Sequence, residues 1–103
     1  MTPVELCRCL GDETRLQLVL MLRNQPERCV CELVEALSLP QPTVSRHLAR
    51  LREIGLVLDR RDSQWIYYRL SDRLPGWATE VIDSLMTPGL RCYSDTLRRA
   101  ACC

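Results

Sequence analysis

The stretch Gln41-Pro42-Thr43-Val44-Ser45-Arg46-His47-Leu48-Ala49-Arg50-Leu51-Arg52-Glu53-Ile54-Gly55 decides how this chain is read. Val44, Leu48, Leu51 and Ile54 recur at offsets of four, three and three, the spacing of one apolar stripe on an α-helix. The other face carries Thr43, Ser45, Arg46, His47, Arg50 and Arg52. The pattern predicts a helix from about Gln41 to Ile54, with Gly55 as the left-handed residue that ends it.

Ser38-Leu39-Pro40 reads as a turn, and a preceding helix is expected over Cys29 to Leu37. After Gly55 the period changes. Leu56 to Leu58 and Trp65 to Leu70 are rich in aliphatic and aromatic residues, which predicts a β-hairpin. Arg60-Arg61-Asp62-Ser63-Gln64 is its expected polar tip, without the glycine that tight turns favour. Upstream, Thr2-Pro3 opens a short helix to about Leu10, and Gly11-Asp12 breaks it and caps a second. That second helix holds Leu16, Leu18, Val19, Leu20, Met21 and Leu22, so it belongs in the core, and Asn24-Gln25-Pro26 ends it. A fifth helix is expected from about Pro75 to Met86, presenting Trp77, Val81, Ile82 and Leu85, and a short sixth between Leu90 and Cys103. The expected fold is mainly α with a β-hairpin wing: a winged helix-turn-helix of about five helices and two strands. Residues 1–86 form the domain and 87–103 a tail containing cysteines.

Composition agrees with one domain. The chain has 103 residues, 47% of them hydrophobic, enough for a modest core. Its longest apolar run, Leu18 to Leu22, is too short to span a bilayer. The start has no basic residues leading into an apolar stretch, so no signal peptide, no membrane partner and a cytoplasmic location are expected. Net charge is +1, but it is unevenly spread. Residues 41–61 carry five arginines against two acids, whereas residues 1–40 carry four against six. Lysine is absent, and the guanidinium fork suits phosphate.

An α-helix fits the DNA major groove, where it needs side chains that reach base edges and neighbouring cations that hold phosphates. Thr43, Ser45, Arg46, His47 and Arg50 offer both on one helix. The bland alternative is a solvated face, and the adjoining hairpin with Arg60 and Arg61 weighs against it. The groove reading assigns Arg46 and Arg50 to phosphate or guanine edges and Gln41, Thr43, Ser45 and His47 to bases. It assigns Arg60, Arg61 and Gln64 to the backbone or minor groove.

Five motifs, in order, carry a family resemblance. They are Leu10-Gly-Asp-Glu-Thr-Arg-Leu16, Cys29-Val-Cys-Glu-Leu33, Gln41-Pro-Thr-Val-Ser-Arg-His-Leu48, Leu51-Arg-Glu-Ile-Gly-Leu56 and Trp65-Ile-Tyr-Tyr-Arg-Leu70. Together they resemble the ArsR/SmtB family of bacterial metal-sensing repressors from about residue 4 to 86, and most closely its arsenic- and antimony-responsive branch. The resemblance implies a homodimer built on the first and fifth helices. It implies double-stranded operator DNA, an imperfect inverted repeat, bound without metal and released when a thiophilic ion binds. As(III) or Sb(III) is the implied inducer, with Cys29 and Cys31 as ligands. There are departures. Pro40 stands where relatives often have a capping Ser, leaving Ser38 as a candidate cap, and Val34 stands where the arsenic branch can carry a third Cys.

Seven cysteines point to metal binding, redox sensing or burial rather than a disulfide framework. Thiolates select soft ions. Residues i and i+2 of a regular helix lie about 200° apart, so one ion on Cys29 and Cys31 is expected to open the first helical turn. Cys92, Cys102 and Cys103 are further candidate ligands. Cys7 and Cys9 are weaker ones that would make the site resemble the family's cadmium and lead sensors. A thiol redox switch on the same scaffold stays open. The zinc-type site of the family is not expected, because the fifth helix has Glu80 and Asp83 but no His, and His47 is the only histidine. An enzyme is not expected either: no Cys-x-x-Cys lies in a βαβ context, and no His stands beside a Cys nucleophile.

Overall fold

A computed structural model describes residues 1–86. The expected sixth helix, with Cys92, Cys102 and Cys103, lies outside the described residues. The chain runs α1 (Pro3–Leu10), α2 (Glu13–Asn24), β1 (Arg28–Cys29), α3 (Val30–Leu37), α4 (Gln41–Glu53), β2 (Val57–Asp62), β3 (Trp65–Leu70) and α5 (Gly76–Leu85).

Local chemistry explains most boundaries. Thr2 and Glu5 form a reciprocal cap on α1: the Glu5 N–H donates to Thr2 Oγ1 at 3.2 Å, and the Thr2 N–H to Glu5 Oε1 at 2.7 Å. Asp12 Oδ1 accepts the Arg15 N–H at 3.1 Å and so caps α2. At the far end of α4, Gly55 takes φ 81°, and the Leu56 and Gly55 N–H groups donate to Leu51 O and Arg52 O at 3.1 and 3.0 Å. This is a Schellman stop, as the glycine predicted.

The core sits between the helices and the inner face of a three-stranded sheet. Leu18 to Leu22 of α2 are all buried, against Leu6, Leu33, Val44, Leu48, Leu51, Leu56, Val57 and Ile82. Each fully buried Leu or Ile contributes about 2 kcal/mol by leaving water. One valine and two leucines, Val44, Leu48 and Leu51, seat α4 on this core and turn its opposite face outward.

Four expectations are corrected. First, α3 begins at Val30, not Cys29; Cys29 has an extended backbone (φ −77°, ψ 157°) because it pairs with Tyr67 as part of β1. Second, the sheet therefore has three strands in the order β1-β3-β2 rather than two. Third, the hairpin is longer than its apolar residues indicate. Arg60 and Arg61 are paired strand residues opposite Tyr67 and Ile66, and the turn is Ser63-Gln64, with Ser63 supplying the positive φ of 60° that glycine usually provides. Fourth, Ser38 does not cap α4. Its backbone turns left-handed (φ 54°, ψ 40°) to close α3, and its N–H donates to Val34 O at 2.9 Å. α4 starts instead on the carbonyl of Pro40, which accepts from the Thr43 and Val44 N–H groups.

Candidate nucleic-acid interface and thiol site

The outer face of α4 is where the sequence placed the reading residues. Gln41, Arg46 and Arg50 are exposed, while Thr43, Ser45 and His47 are half-buried. Arg50 Nη1 lies 3.8 Å from Glu53 Oε2 on the same helix, and Arg46 Nη2 lies 3.5 Å from Thr43 Oγ1. Such contacts are loose enough to yield to a ligand. Arg52 is different: its Nη1 donates to Asp59 Oδ2 at 3.0 Å and fastens α4 to β2.

His47 sits on the flank of α4 that faces the start of α2. Its Nδ1 is 3.3 Å from Arg15 Nη1 and 3.9 Å from Asp12 Oδ1. A guanidinium can only donate, so the Arg15 contact is a hydrogen bond when Nδ1 is unprotonated, whereas a protonated Nδ1 is matched to Asp12 instead. Arg15 is itself anchored, with Nε donating to Cys9 O at 2.9 Å. The hydrogen bond from the Arg15 N–H, with His47 and Arg15 nearby, holds the Asp12 carboxyl below its ordinary value. Arg15, Arg46, His47 and Arg50 line an open cleft of about 450 Å³ on this face. Arg15 was not singled out from the sequence as a site residue, although it lies within the Gly-Asp-Glu-Thr-Arg run.

On the wing, Arg61 and Gln64 are exposed near the tip, and Arg61 has no ion-pair partner among the described residues. Arg60 is engaged. Its Nη2 and Nε donate to Glu27 Oε1 and Oε2 at 2.7 and 3.2 Å, and its guanidinium carbon lies 4.6 Å from the centre of the Tyr67 ring. The Arg60 hydrogen bonds hold the Glu27 carboxyl below the usual range.

Cys29 and Cys31 converge. The structure pairs their sulfurs as a disulfide, with the Cα atoms 5.4 Å apart. The expectation that a helical backbone would hold them on opposite sides is therefore corrected: Cys29 precedes α3, and its extended backbone lets both sulfurs meet without opening a helical turn. Glu32 organises this corner. It accepts from the Cys29 N–H at 3.3 Å and from Nη1 of the buried Arg28 at 3.0 Å. Cys9 is buried in the core and Cys7 lies on the surface of α1. Among the described residues no group of three His, Cys, Asp or Glu side chains comes together, so Cys7 and Cys9 do not join Cys29 and Cys31 within one chain. Among the described residues no helix is long and apolar enough to cross a membrane.

A basic helix that is the second of a helix-turn-helix pair, followed by a two-stranded hairpin wing within a three-stranded sheet, defines a winged helix-turn-helix regulator. Residues 12–58 match the family profile described as "Bacterial regulatory protein, arsR family". Over 81 residues the chain is 53% identical to the "Arsenical resistance operon repressor" of Escherichia coli (strain K12), covering 79% of this chain and 69% of that one. It is 44% identical over 101 residues to "Arsenic resistance transcriptional regulator ArsR1" of Pseudomonas putida KT2440, covering 97% and 79%. The solved structure of HlyU from Vibrio cholerae N16961 superposes with a TM-score of 0.71 at 38% identity, covering 80% of this chain and 85% of that one. The chain belongs to the arsR family of bacterial regulatory proteins.

Proposed function

We propose that the chain is a homodimeric operator-binding repressor of the bacterial cytoplasm that leaves its DNA when the Cys29 and Cys31 thiolates capture trivalent arsenic or antimony. The observation that carries the trigger is the convergence of the two sulfurs at the head of α3, the helix packed against α4. The names of the two curated relatives support arsenic as the ion. In the reduced protein this pair fits two of the three soft donors that trivalent arsenic takes. The third sulfur comes from Cys92, Cys102 or Cys103, or from an external thiol. A bound ion supplies a strong thiolate linkage; the chain's part is to hold two sulfurs together and to pass their spacing on to α3 and α4.

Arg46 and Arg50 hold phosphate or guanine edges, and Gln41, Thr43, Ser45 and His47 position or read bases. Arg61 and Gln64 reach the flanking backbone or minor groove. Exposed Val4 on α1 and Trp77 and Val81 on α5 supply the apolar face by which two copies associate. Two reading helices about one helical turn apart then demand an imperfect inverted repeat. Residues 1–86 do this work and 87–103 act as a ligand-bearing tail.

Titrating operator-bound, reduced protein with As(III), Sb(III), Cd(II), Pb(II) and Bi(III) tests the reading. Release at the lowest concentration by As(III) or Sb(III) is expected. Release by Cd(II) or Pb(II) alone overturns it in favour of a cadmium or lead sensor.

The disulfide pairing favours a second reading on the same residues, a thiol redox switch. The two thiols give up two electrons and two protons to hydrogen peroxide, which leaves as two waters while the S–S bond forms. Peroxide-driven release in metal-free buffer is its signature.

A further inference from the structure

Cys29, Tyr67 and Arg60 stand side by side across the sheet: Cys29 pairs with Tyr67, and Tyr67 pairs with Arg60. Directly paired residues project from the same face, so this row runs unbroken from the thiol strand to the wing strand. Glu27 closes it. It lies two residues before Cys29, grips Arg60 at two points (2.7 and 3.2 Å), and draws the guanidinium over the Tyr67 ring. The remaining Arg60 nitrogen, Nη1, lies 3.6 Å from Asp62 Oδ2. Glu27 thus holds two of the three guanidinium nitrogens of Arg60, and the third has only this longer contact.

We propose that Arg60 is a positioning residue and not a phosphate contact: with Glu27 it ties the wing to the strand that carries Cys29, so a change at the thiols reaches the wing as well as the reading helix. This replaces the DNA-contact role that the sequence gave Arg60. An exposed ion pair adds little to stability, but a two-point guanidinium–carboxylate clasp fixes direction. The tie stands on the Glu27–Arg60 clasp and the sheet register. The transmission rests on the thiol-trigger reading.

Operator binding by the full, reduced chain across a salt series decides between the roles. The proteins compared are wild type, Glu27→Gln, Arg60→Gln, the double variant and Arg61→Gln. Glu27→Gln and Arg60→Gln are expected to weaken binding by the same few-fold factor, the double variant no further, because one clasp is lost in each case. Neither changes the slope of log affinity against log salt, whereas Arg61→Gln lowers it by about one. With arsenite as probe, the ratio of unloaded to loaded affinity is expected to shrink about tenfold in Glu27→Gln, within the usual range of allosteric coupling. A slope loss of about one in Arg60→Gln, additive single effects, or unchanged or tighter binding by Glu27→Gln overturns the tie. An unchanged arsenite ratio in Glu27→Gln overturns the transmission. If arsenite leaves even the wild type on its operator, trigger and transmission both fall, while the salt series still decides the tie.

Discussion

Arg50 on the reading helix and Arg60 on the wing carry the same charge and expose comparable fractions of their side chains, 65% and 50%. They are held in opposite ways. Arg50 meets only Glu53 among the described residues, at 3.8 Å and one helical turn away. Arg60 is clasped twice by Glu27 and stacked on Tyr67. A guanidinium has five N–H donors; Arg50 keeps them loosely paired, whereas two of those of Arg60 are committed to Glu27 and its plane is fixed against Tyr67. Charge in a DNA-binding segment is therefore sorted by local geometry. Two arginines ten residues apart in the same basic block are held in different ways.

The comparison breaks most visibly on the reading helix. Replacing both Arg46 and Arg50 by Ala is expected to weaken operator binding about a hundredfold at moderate salt and to lower the salt slope by about two. Fluorescence anisotropy across a salt series checks it, and an unaltered slope would mean that neither side chain meets phosphate. Arg61→Ala sharpens the contrast on the wing itself. A few-fold loss and a slope change of about one are expected, from the arginine beside Arg60 that lacks its clasp.

A smaller effect tests the support beneath His47. Asp12→Ala removes the α2 cap and is expected to cost about 1 kcal/mol of stability, read by thermal melting. The folded Asp12 carboxyl titrates below its ordinary value, chiefly through the Arg15 N–H hydrogen bond. Its contribution is therefore complete above the unfolded value and is lost as pH falls through the depressed folded one. Wild type and variant should differ at neutral pH, begin to draw together below about pH 4, and converge only once pH has passed the depressed folded value. A gap that persists in acid would show that the ionised carboxylate is not what caps the helix. Smallest of all, Arg23→Ala breaks the exposed pair with Asp83 (2.6 Å) that links α2 to α5. A loss of stability close to the resolution of thermal melting is expected, with DNA affinity unchanged. A larger loss would show that this exposed pair does more than fasten two helices.

Much of this was legible in the sequence because it is written locally. The stripe Val44, Leu48, Leu51 orients α4, Thr2 and Asp12 announce two helix starts, and Gly55 announces a stop. The rest depends on partners far along the chain. A two-residue strand such as β1 has no period to detect; Cys29 is extended because Tyr67 pairs with it. Arg60-Arg61-Asp62-Ser63-Gln64 reads as a loop since it stands beyond the core, where no apolar alternation is required, yet backbone pairing to β3 continues to Asp62. Glu27 could not be matched to Arg60 across 33 residues by spacing alone. The convergence of Cys29 and Cys31 is hidden for the same reason, since helical spacing does not apply to Cys29, which stands one residue before α3.

The central claim is that release begins at the sulfurs of Cys29 and Cys31. Its most direct measurement is an arsenite titration of reduced Cys31→Ser protein on operator DNA, beside the wild type and with thiol-free buffer. The account predicts wild-type operator affinity before arsenite and no release after it. Release at the wild-type arsenite concentration would contradict the account.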